Sequence, residues 1–353
     1  MKFFLLQSIV MTFLHCIPSA VCLVSTSRRI ITSKYTKMTR LSMSTSDISY
    51  KVGFMFPGQG AQTVGMAAGL CNEVPAAKEL FDKASKILGY DLLDKCVNGP
   101  KEELDSTVIS QPAIFVSSMA ALEKLKRDDP AAYDSCTVAM GLSLGEYTAL
   151  CFAGAFSFED GVKLTKARGE AMQAAADATN SGMVAVIGLG IPAVQKVCDD
   201  AAAASGQPIS IANYLVDGNY AISGAAAACD KARELAVAAG ARMALPLSVA
   251  GAFHTEFMQP AVSKLQAALS EVSFSTPRVP VISNVDAKPH FDPQEIKDIL
   301  ARQVTSPVQW ETIITTMVQA PDFAKSYEFG PGTVCRGIVK RFGKKLDVTN
   351  IQA

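Results

Sequence analysis

Short apolar runs that end at glycine or proline alternate along this chain with longer segments of helical periodicity. The run Val52–Phe56 stops at Pro57-Gly58, which predicts a buried strand that opens into a loop. Residues 137–140 predict a second buried strand, and residues 144–152 predict a helix directly after it. Further helices are predicted at 73–88, 110–127, 256–270, 294–303, 308–319 and 333–341, and further short strands at 280–282 and 326–329. Alternation of buried strands with helices is typical of an α/β fold.

The order of predicted strands and helices changes between residues 183 and 247. The predicted order there is strand, helix, strand, strand, helix, strand, at 183–188, 192–204, 208–213, 219–223, 225–239 and 242–247. Asp217-Gly218, between the two middle strands, is a good tight-turn dipeptide. This β-α-β-β-α-β order is that of a ferredoxin-like unit. We therefore predict a small ferredoxin-like subdomain at 183–247, inserted into an α/β core formed by 48–182 and 248–353.

The first 47 residues differ from the rest of the chain in charge. Asp47 is the first acidic residue, and only basic charges precede it: Lys2, Arg28, Arg29, Lys34, Lys37 and Arg40. Residues 3–24 are largely apolar, like a secretory signal, and the basic, hydroxyl-rich remainder is typical of an organelle transit peptide. The two in series predict a targeting presequence at 1–47, of the bipartite kind that directs proteins into a secondary plastid. A mitochondrial presequence and a membrane anchor are the alternatives, although Pro18 breaks a run already short for a span of about 20 residues.

The composition is that of an ordinary globular protein, with 49% hydrophobic and 19% charged residues. Lys plus Arg and Asp plus Glu both total 33, so no excess charge directs the whole molecule to nucleic acid or to an anionic membrane. The nine cysteines form no C-x-x-C pair and no Cys/His cluster with metal-ligand spacing. We expect reduced thiols, no metal site, no nucleic-acid partner, no stable membrane span in the mature chain and a monomeric protein.

A candidate nucleophile lies between the strand at 137–140 and the helix that follows it. Gly141-Leu142-Ser143-Leu144-Gly145 has the spacing G-x-S-x-G, and a sharp strand-to-helix turn is the context in which this motif exposes a nucleophilic serine. The arrangement is that of α/β-hydrolases, so the core is predicted to be α/β-hydrolase-like. A serine hydroxyl is a weak nucleophile and needs an adjacent base.

Three histidines are available as that base. His15 lies in the predicted presequence, and His290 lies among prolines in a predicted surface loop. His254 follows an apolar stretch just past a strand and before a helix, where an imidazole is held rigidly; the alternative is an ordinary core histidine. No acidic residue between Ser143 and His254 stands out as the third member of a triad. A serine–histidine dyad oriented by a backbone or amide oxygen is therefore predicted.

Six motifs occur in order along the chain. They are Phe56-Pro57-Gly58-Gln59-Gly60-Ala61-Gln62, Gly141-Leu142-Ser143-Leu144-Gly145-Glu146-Tyr147, Ala167-Arg168-Gly169-Glu170-Ala171-Met172-Gln173, Ala212-Asn213-Tyr214, Ala252-Phe253-His254 and Gln303-x-x-x-Pro307-Val308-Gln309-Trp310. Together they resemble the malonyl-CoA:acyl-carrier-protein transacylases, the malonyl-loading enzymes of type II fatty acid synthesis, over nearly the whole chain beyond the presequence. Leu142, where many bacterial members have histidine, resembles plastid and cyanobacterial versions. Asp217 stands where a proline is expected, which affects only the geometry of the subdomain.

The resemblance implies catalytic and substrate-binding roles for eight residues. They are the nucleophile Ser143, its base His254, Gln303, which orients the imidazole through its carbonyl, the oxyanion-hole N–H donors of Gln59 and Leu144, and the substrate-binding residues Arg168, Asn213 and Phe253. Malonyl-CoA has a free carboxylate that a neutral acyl chain lacks, and a planar guanidinium grips a carboxylate with two parallel hydrogen bonds. Arg168 is thus expected to select malonyl over acetyl thioesters, and Phe253 is expected to narrow the acyl-binding pocket. The alternatives are a solvated helix arginine and a core phenylalanine.

The implied reaction is a ping-pong transfer that needs no bound metal or redox cofactor. Malonyl-CoA loads Ser143, and the phosphopantetheine thiol of an acyl carrier protein then accepts the malonyl group, with His254 as its base. Basic side chains that suit an acidic carrier protein are Lys166, Arg242, Lys340 and Arg341. Two alternatives stay open. One is a serine thioesterase or other hydrolase that shares the G-x-S-x-G turn, and the other is an acyltransferase-like binding protein without turnover.

Overall fold

The computed structural model describes residues 48–353, and the predicted presequence at 1–47 lies outside the described residues. The strands are β1 (Val52–Phe56), β2 (Val138–Gly141), β3 (Ser181–Ile187), β4 (Ile209–Val216), β5 (Asn219–Ala225), β6 (Met243–Pro246), β7 (Val281–Ile282), β8 (Lys325–Gly330) and β9 (Val348–Gln352). The helices are α1 (Ala68–Glu73), α2 (Pro75–Leu88), α3 (Leu92–Asn98), α4 (Lys101–Asp105), α5 (Thr107–Asp128), α6 (Pro130–Asp134), α7 (Gly145–Phe152), α8 (Phe158–Asp177), α9 (Ile191–Ser205), α10 (Ala226–Ala238), α11 (Gln259–Ser270), α12 (Pro293–Gln303), α13 (Trp310–Gln319) and α14 (Val334–Phe342).

The larger of the two sheets formed by residues 48–353 has five parallel strands in the order β7-β2-β1-β8-β9. All residues of the central strand β1 are buried, as its uninterrupted apolar sequence predicts. Phe54 and Phe56 of β1 pack against Phe152 and Phe329, with ring centroids between 4.6 and 5.9 Å apart. Parallel strands end at the same edge of a sheet, so the loops that follow β1 and β2 come together there.

The smaller sheet is antiparallel, with the strand order β4-β5-β3-β6. Helices α9 and α10 pack against it and against each other. This strand order and these connections are those of a ferredoxin-like unit, so the predicted fold class is confirmed. The sheet spans residues 181 to 246, and β4 continues beyond its predicted end at 213 with an irregular register.

The edge strand β4 and the chain that leaves β6 both attach to the loop after α12. The Tyr214 N–H donates to the carbonyl oxygen of Val308 at 2.9 Å, and the Val308 N–H donates to that of Ala212 at 2.8 Å. On the return path from β6, the His254 N–H donates to the carbonyl oxygen of Val304 at 3.0 Å. The subdomain is therefore held against the segment that contains Gln303, the predicted site residue at the end of α12.

The predicted helices are all present with small shifts at their ends, whereas the short helices α1, α3, α4 and α6 lie where no helix was predicted. The helix predicted at 73–88 is α2, which begins two residues later than predicted because Val74 is extended and Pro75 occupies the first helical position. Strand β9 lies where no strand was predicted, since its sequence VTNIQ lacks a continuous apolar run. No helix among residues 48–353 is both long and apolar enough to cross a membrane.

Candidate active site

The turn between β2 and α7 is a sharp elbow that depends on two glycines. A Cβ on Gly141 would lie 1.9 Å from the backbone of Gly145, and a Cβ on Gly145 would lie 2.1 Å from the carbonyl oxygen of Phe56. Ser143, between them, has a φ of 51°, in the left-handed region that costs a non-glycine residue about 1–3 kcal/mol. The backbone geometry itself therefore requires the G-x-S-x-G spacing, and Ser143 stays partly exposed while its neighbours are buried.

His254 lies directly beside this serine. Its Nε2 is 2.8 Å from Ser143 Oγ, although the two residues are 111 positions apart. Its Nδ1 is 2.9 Å from the backbone carbonyl oxygen of Gln303. Because a carbonyl oxygen can only accept, the proton of the neutral imidazole resides on Nδ1, and Nε2 is left to accept the serine proton. The group that orients His254 is thus a backbone carbonyl and not a carboxylate.

Arg168 lies on α8, is only 1% exposed, and reaches the same serine. Its Nη2 donates to Ser143 Oγ and to Gln303 Oε1, both at 3.0 Å, and its Nη1 donates to Gln111 Oε1 at 2.8 Å. Its buried Nε has no hydrogen-bond partner among residues 48–353. Nε and Nη2 form one edge of the guanidinium, so a carboxylate bound along this edge would lie next to the serine hydroxyl.

The loop after β1 packs tightly against the elbow. A Cβ on Gly58 would lie 2.4 Å from the carbonyl oxygen of Leu142, so the approach requires glycine. The backbone N–H groups of Gln59 and Leu144, the predicted oxyanion donors, have no hydrogen-bond partner in the described part of the chain. Leu144 directly precedes α7, where the helix dipole favours negative charge. The turn that carries Ser143 therefore has two backbone N–H groups beside it, those of Gln59 and Leu144, that are available to a substrate oxygen.

Comparison with known proteins agrees with this geometry. Residues 53–344 match the family described as the acyl transferase domain. This chain belongs to the acyl transferase family. It is 40% identical over 295 residues to the mitochondrial malonyl-CoA-acyl carrier protein transacylase of Mus musculus, a match that covers 81% of this chain and 77% of the mouse protein. The resemblance based on the six motifs is thereby confirmed.

Solved structures of similar proteins have the same fold. An acyl carrier protein S-malonyltransferase from Vibrio cholerae is 40% identical, with a TM-score of 0.79 over 85% of this chain and 96% of that one. A malonyl-transacylase in complex with a type II PKS acyl-carrier protein is 34% identical, with a TM-score of 0.80 over 85% of this chain and 95% of that one. The acyl transferase fold therefore extends over nearly all the described residues.

Two residues predicted to bind substrate lie outside the hydrogen-bonded cluster of this acyl transferase. Asn213 lies in β4, and its buried Oδ1 has no partner within residues 48–353. Phe253 directly precedes His254, and its side chain is buried in the main apolar core. Their roles in substrate binding remain predictions.

Two buried residues without a predicted role complete the cluster. Asn284 Oδ1 accepts a hydrogen bond from the Ser143 N–H at 2.6 Å, and Glu146 Oε2 accepts one from Gln303 Nε2 at 2.7 Å. Burial raises the pKa of Glu146 from 4.5 to about 7, against the opposing effect of the hydrogen bonds it accepts. The sequence carries a signal for each: Glu146 is a carboxylate in an otherwise apolar helix, and Asn284 follows a buried strand at the edge where the elbow lies.

Burial, and after it the charge of Arg168, lowers the pKa of His254 from 6.5 to about 4. The imidazole is therefore neutral at pH 7, as a general base must be. In full-length protein labelled with ¹³C-histidine, we expect a pKa of about 4 for His254, and a higher pKa in R168A because the neighbouring charge is lost. NMR titration measures both values, and H254N assigns the signal. A pKa near 6.5 in the wild type, unchanged in R168A, would contradict this environment for the base.

Proposed function

We propose that this chain transfers the malonyl group from malonyl-CoA to acyl carrier protein by way of a malonyl ester on Ser143. One observation carries the proposal: Ser143 Oγ lies 2.8 Å from Nε2 of His254 and 3.0 Å from Nη2 of Arg168. A base beside a serine serves many acyl transfers, but a buried guanidinium beside both selects an acyl group that ends in an anion. The names of the mouse and Vibrio cholerae relatives support malonyl transfer to acyl carrier protein.

In the loading half-reaction, Ser143 Oγ attacks the thioester carbonyl carbon while its proton passes to Nε2 of His254. The carbon–sulfur bond then breaks, and the coenzyme A sulfur takes the proton from Nε2. The malonyl group is left as an ester on Oγ. The N–H groups of Gln59 and Leu144 stabilise the negative charge on the carbonyl oxygen, and loss of one such donor typically lowers the rate about 10²–10³-fold.

In the transfer half-reaction, the phosphopantetheine thiol gives its proton to Nε2 of His254, and its sulfur attacks the malonyl ester. The bond between the acyl carbon and Oγ breaks, and Oγ recovers the proton from Nε2. The same imidazole thus acts as base and then as acid in each half-reaction. The backbone carbonyl of Gln303 keeps Nδ1 protonated and the ring oriented throughout. Ser143 is regenerated for the next malonyl-CoA.

Radiolabelled malonyl-CoA distinguishes this transfer from hydrolysis by a serine thioesterase. The full-length protein is incubated with it, with and without phosphopantetheinylated acyl carrier protein, and the label on each protein is followed. We expect label on this chain alone, and its passage to the carrier when the carrier is added. Carrier that lacks phosphopantetheine is the matched control, and it should accept no label. Release of free malonate at a rate unaffected by the carrier would instead indicate a hydrolase, and no label on either protein would overturn the proposed function.

The carrier protein is proposed to approach through charge attraction, with this chain acting as a monomer and without a bound cofactor. The basic residues proposed to take part are the exposed Arg242 and Arg341 and the half-buried Lys166 and Lys340. Long-range attraction of an acidic partner raises the rate of encounter. Every proton transfer in the proposed reaction uses side chains of this chain. Within residues 48–353, no group of three His, Cys, Asp or Glu residues is arranged to hold a metal ion.

Residues 1–47 are proposed to be a targeting presequence that directs the protein to an organelle. An apolar stretch followed by a basic, hydroxyl-rich one supports the bipartite plastid interpretation. The mitochondrial name of the mouse relative supports the mitochondrial alternative. A fluorescent reporter fused to residues 1–47 separates the two by the organelle that it reaches.

A further inference from the structure

Asn284 is fully buried after β7, and its side-chain amide spans the elbow. Its Oδ1 accepts from the Ser143 N–H at 2.6 Å, and its Nδ2 donates to the carbonyl oxygen of Gly141 at 2.7 Å. An N–H can only donate and a carbonyl oxygen can only accept, so these two partners determine the orientation of the amide. The two hydrogen bonds therefore clamp the chain on either side of Leu142.

The clamp lies where the backbone is strained. Ser143 has a φ of 51°, and strain of this kind persists only where surrounding contacts hold it. A change in the Ser143 backbone would turn Oγ away from Nε2 of His254 and would also redirect the following N–H, that of Leu144. The position of the nucleophile and of one proposed oxyanion donor thus depends on the same two bonds.

Glu146 connects this clamp to the rest of the site. Its Oε2 accepts from the backbone N–H of Asn284 at 2.9 Å and from Nε2 of Gln303 at 2.7 Å. Nε2 of Gln303 also donates to the Ser143 carbonyl oxygen at 3.0 Å, and its Oε1 accepts from Nη2 of Arg168 at 3.0 Å. The Arg168 guanidinium only donates and the Ser143 carbonyl oxygen only accepts, so the Gln303 amide has a single favourable orientation, with Nε2 towards Glu146. Glu146 therefore aligns Asn284 and Gln303 at once.

We propose that Asn284 is a positioning residue for the nucleophile, because its side-chain amide clamps the backbone around Ser143. Glu146 is a second positioning residue, which fixes Asn284 and Gln303 relative to each other. Neither residue contacts the reacting atoms. Both act through Ser143, and Glu146 acts also through the Gln303 contact with Arg168. The inference rests on the proposed function only in that Ser143 carries the malonyl group.

The substitution N284D tests the clamp. A protonated carboxyl at position 284 has one donor and one acceptor, as the amide does, and can keep both hydrogen bonds. An ionised carboxylate has no donor for the Gly141 carbonyl oxygen and loses that bond. Burial and that carbonyl oxygen both favour the neutral form. We expect the single-turnover loading rate of N284D, divided by that of the wild type, to fall about tenfold or more between about pH 6 and about pH 8.5. The titratable and charged groups around the introduced carboxyl are Glu146, Arg168 and His254 of the cluster and Asp286 and His290 of the loop after β7, and division by the wild-type rate removes their contribution.

The matched control is N350D. Asn350 Nδ2 also donates to a backbone carbonyl oxygen, that of Gly332, and to a buried glutamate, Glu328, but it contacts none of the cluster residues. Its rate ratio should stay constant with pH. A constant ratio for N284D as well, or equal pH dependence in both variants, would overturn the clamp. If the wild type gains no malonyl group on Ser143, the proposed function fails instead, so the two failures are distinguishable.

A second pair of variants tests Glu146 without relying on N284D. E146Q keeps one carbonyl oxygen that can accept from both Asn284 and Gln303, whereas E146L leaves both donors without a partner. We expect E146Q to load malonyl at least about tenfold faster than E146L at pH 7, because buried donors left without an acceptor are destabilising and free the Gln303 amide to rotate. Equal rates for the two variants would overturn the positioning role of Glu146.

Discussion

Ser143→Ala should lower the kcat/KM of malonyl transfer by about 10⁶-fold, the scale of loss seen when a nucleophile that acts as part of a unit is removed. His254 Nε2 and Arg168 Nη2 both contact Ser143 Oγ, at 2.8 and 3.0 Å, so the substitution removes the atom on which both groups act. The intact mass of the protein after incubation with malonyl-CoA measures the effect. We expect the wild type to gain one malonyl group and the variant to gain none.

Ser117→Ala is the matched control for this experiment. Ser117 is buried on α5, and its Oγ has no hydrogen-bond partner among the described residues. Its loss should leave kcat/KM within about twofold of the wild type, because no contact of the site depends on it. A malonyl adduct that forms on Ser143→Ala, or an equal loss of activity in the two variants, would contradict the assignment of Ser143 as nucleophile.

Arg168→Ala should reverse the selectivity for the acyl group. We expect malonyl loading to fall about 10²–10³-fold more than acetyl loading, because truncating one partner of a buried, hydrogen-bonded charge pair costs about 2–5 kcal/mol. An acetyl group has no carboxylate, so it loses only the contact between Nη2 and Ser143 Oγ. The measurement is kcat/KM for malonyl-CoA and for acetyl-CoA with the same preparation.

Two further arginine variants separate charge, geometry and stability. R168K keeps the positive charge but loses the planar fork, so its malonyl loading should lie between those of the wild type and R168A. R278A removes an arginine that donates to the Phe152 carbonyl oxygen at 2.8 Å and stacks on the Phe152 ring, so it should affect both thioesters equally. Equal losses of malonyl and acetyl loading in R168A would remove Arg168 from the role of carboxylate ligand.

Sequence motifs were sufficient to name the residues that converge on the nucleophile. Ser143 follows from the G-x-S-x-G spacing, His254 from the scarcity of histidine, and Arg168 and Gln303 from the family resemblance. The way in which Gln303 acts required the structure, because its backbone carbonyl holds His254 while its side chain holds Arg168. A motif specifies a residue type at a position, but it does not say which atom of that residue is used.

Glu146 and Asn284 show why the rest of the site was not predicted. Glu146 stands inside one of the six motifs, and its charge in a largely apolar helix is a signal of burial, but the surrounding sequence does not show which distant groups it contacts. Asn284 is 141 residues from Ser143, and its only local signal is a two-residue strand before it. Polar residues that act through hydrogen bonds to distant backbone are specified by the packing of elements, which periodicity does not report.

The sequence alone determined which segments become buried strands, the β-α-β-β-α-β order of the smaller unit and the presence of glycine on both sides of the nucleophile, since these depend on local periodicity and on residue type. Only the tertiary structure decided that the carboxyl ends of β1, β2 and β7 meet the end of α12 in one place. Hydrogen-bond geometry is set within tenths of an ångström by contacts between elements far apart in the chain. The unpartnered Nε of Arg168, the protonation state of His254 and the clamp on Ser143 are therefore properties of the fold, and no single segment contains them.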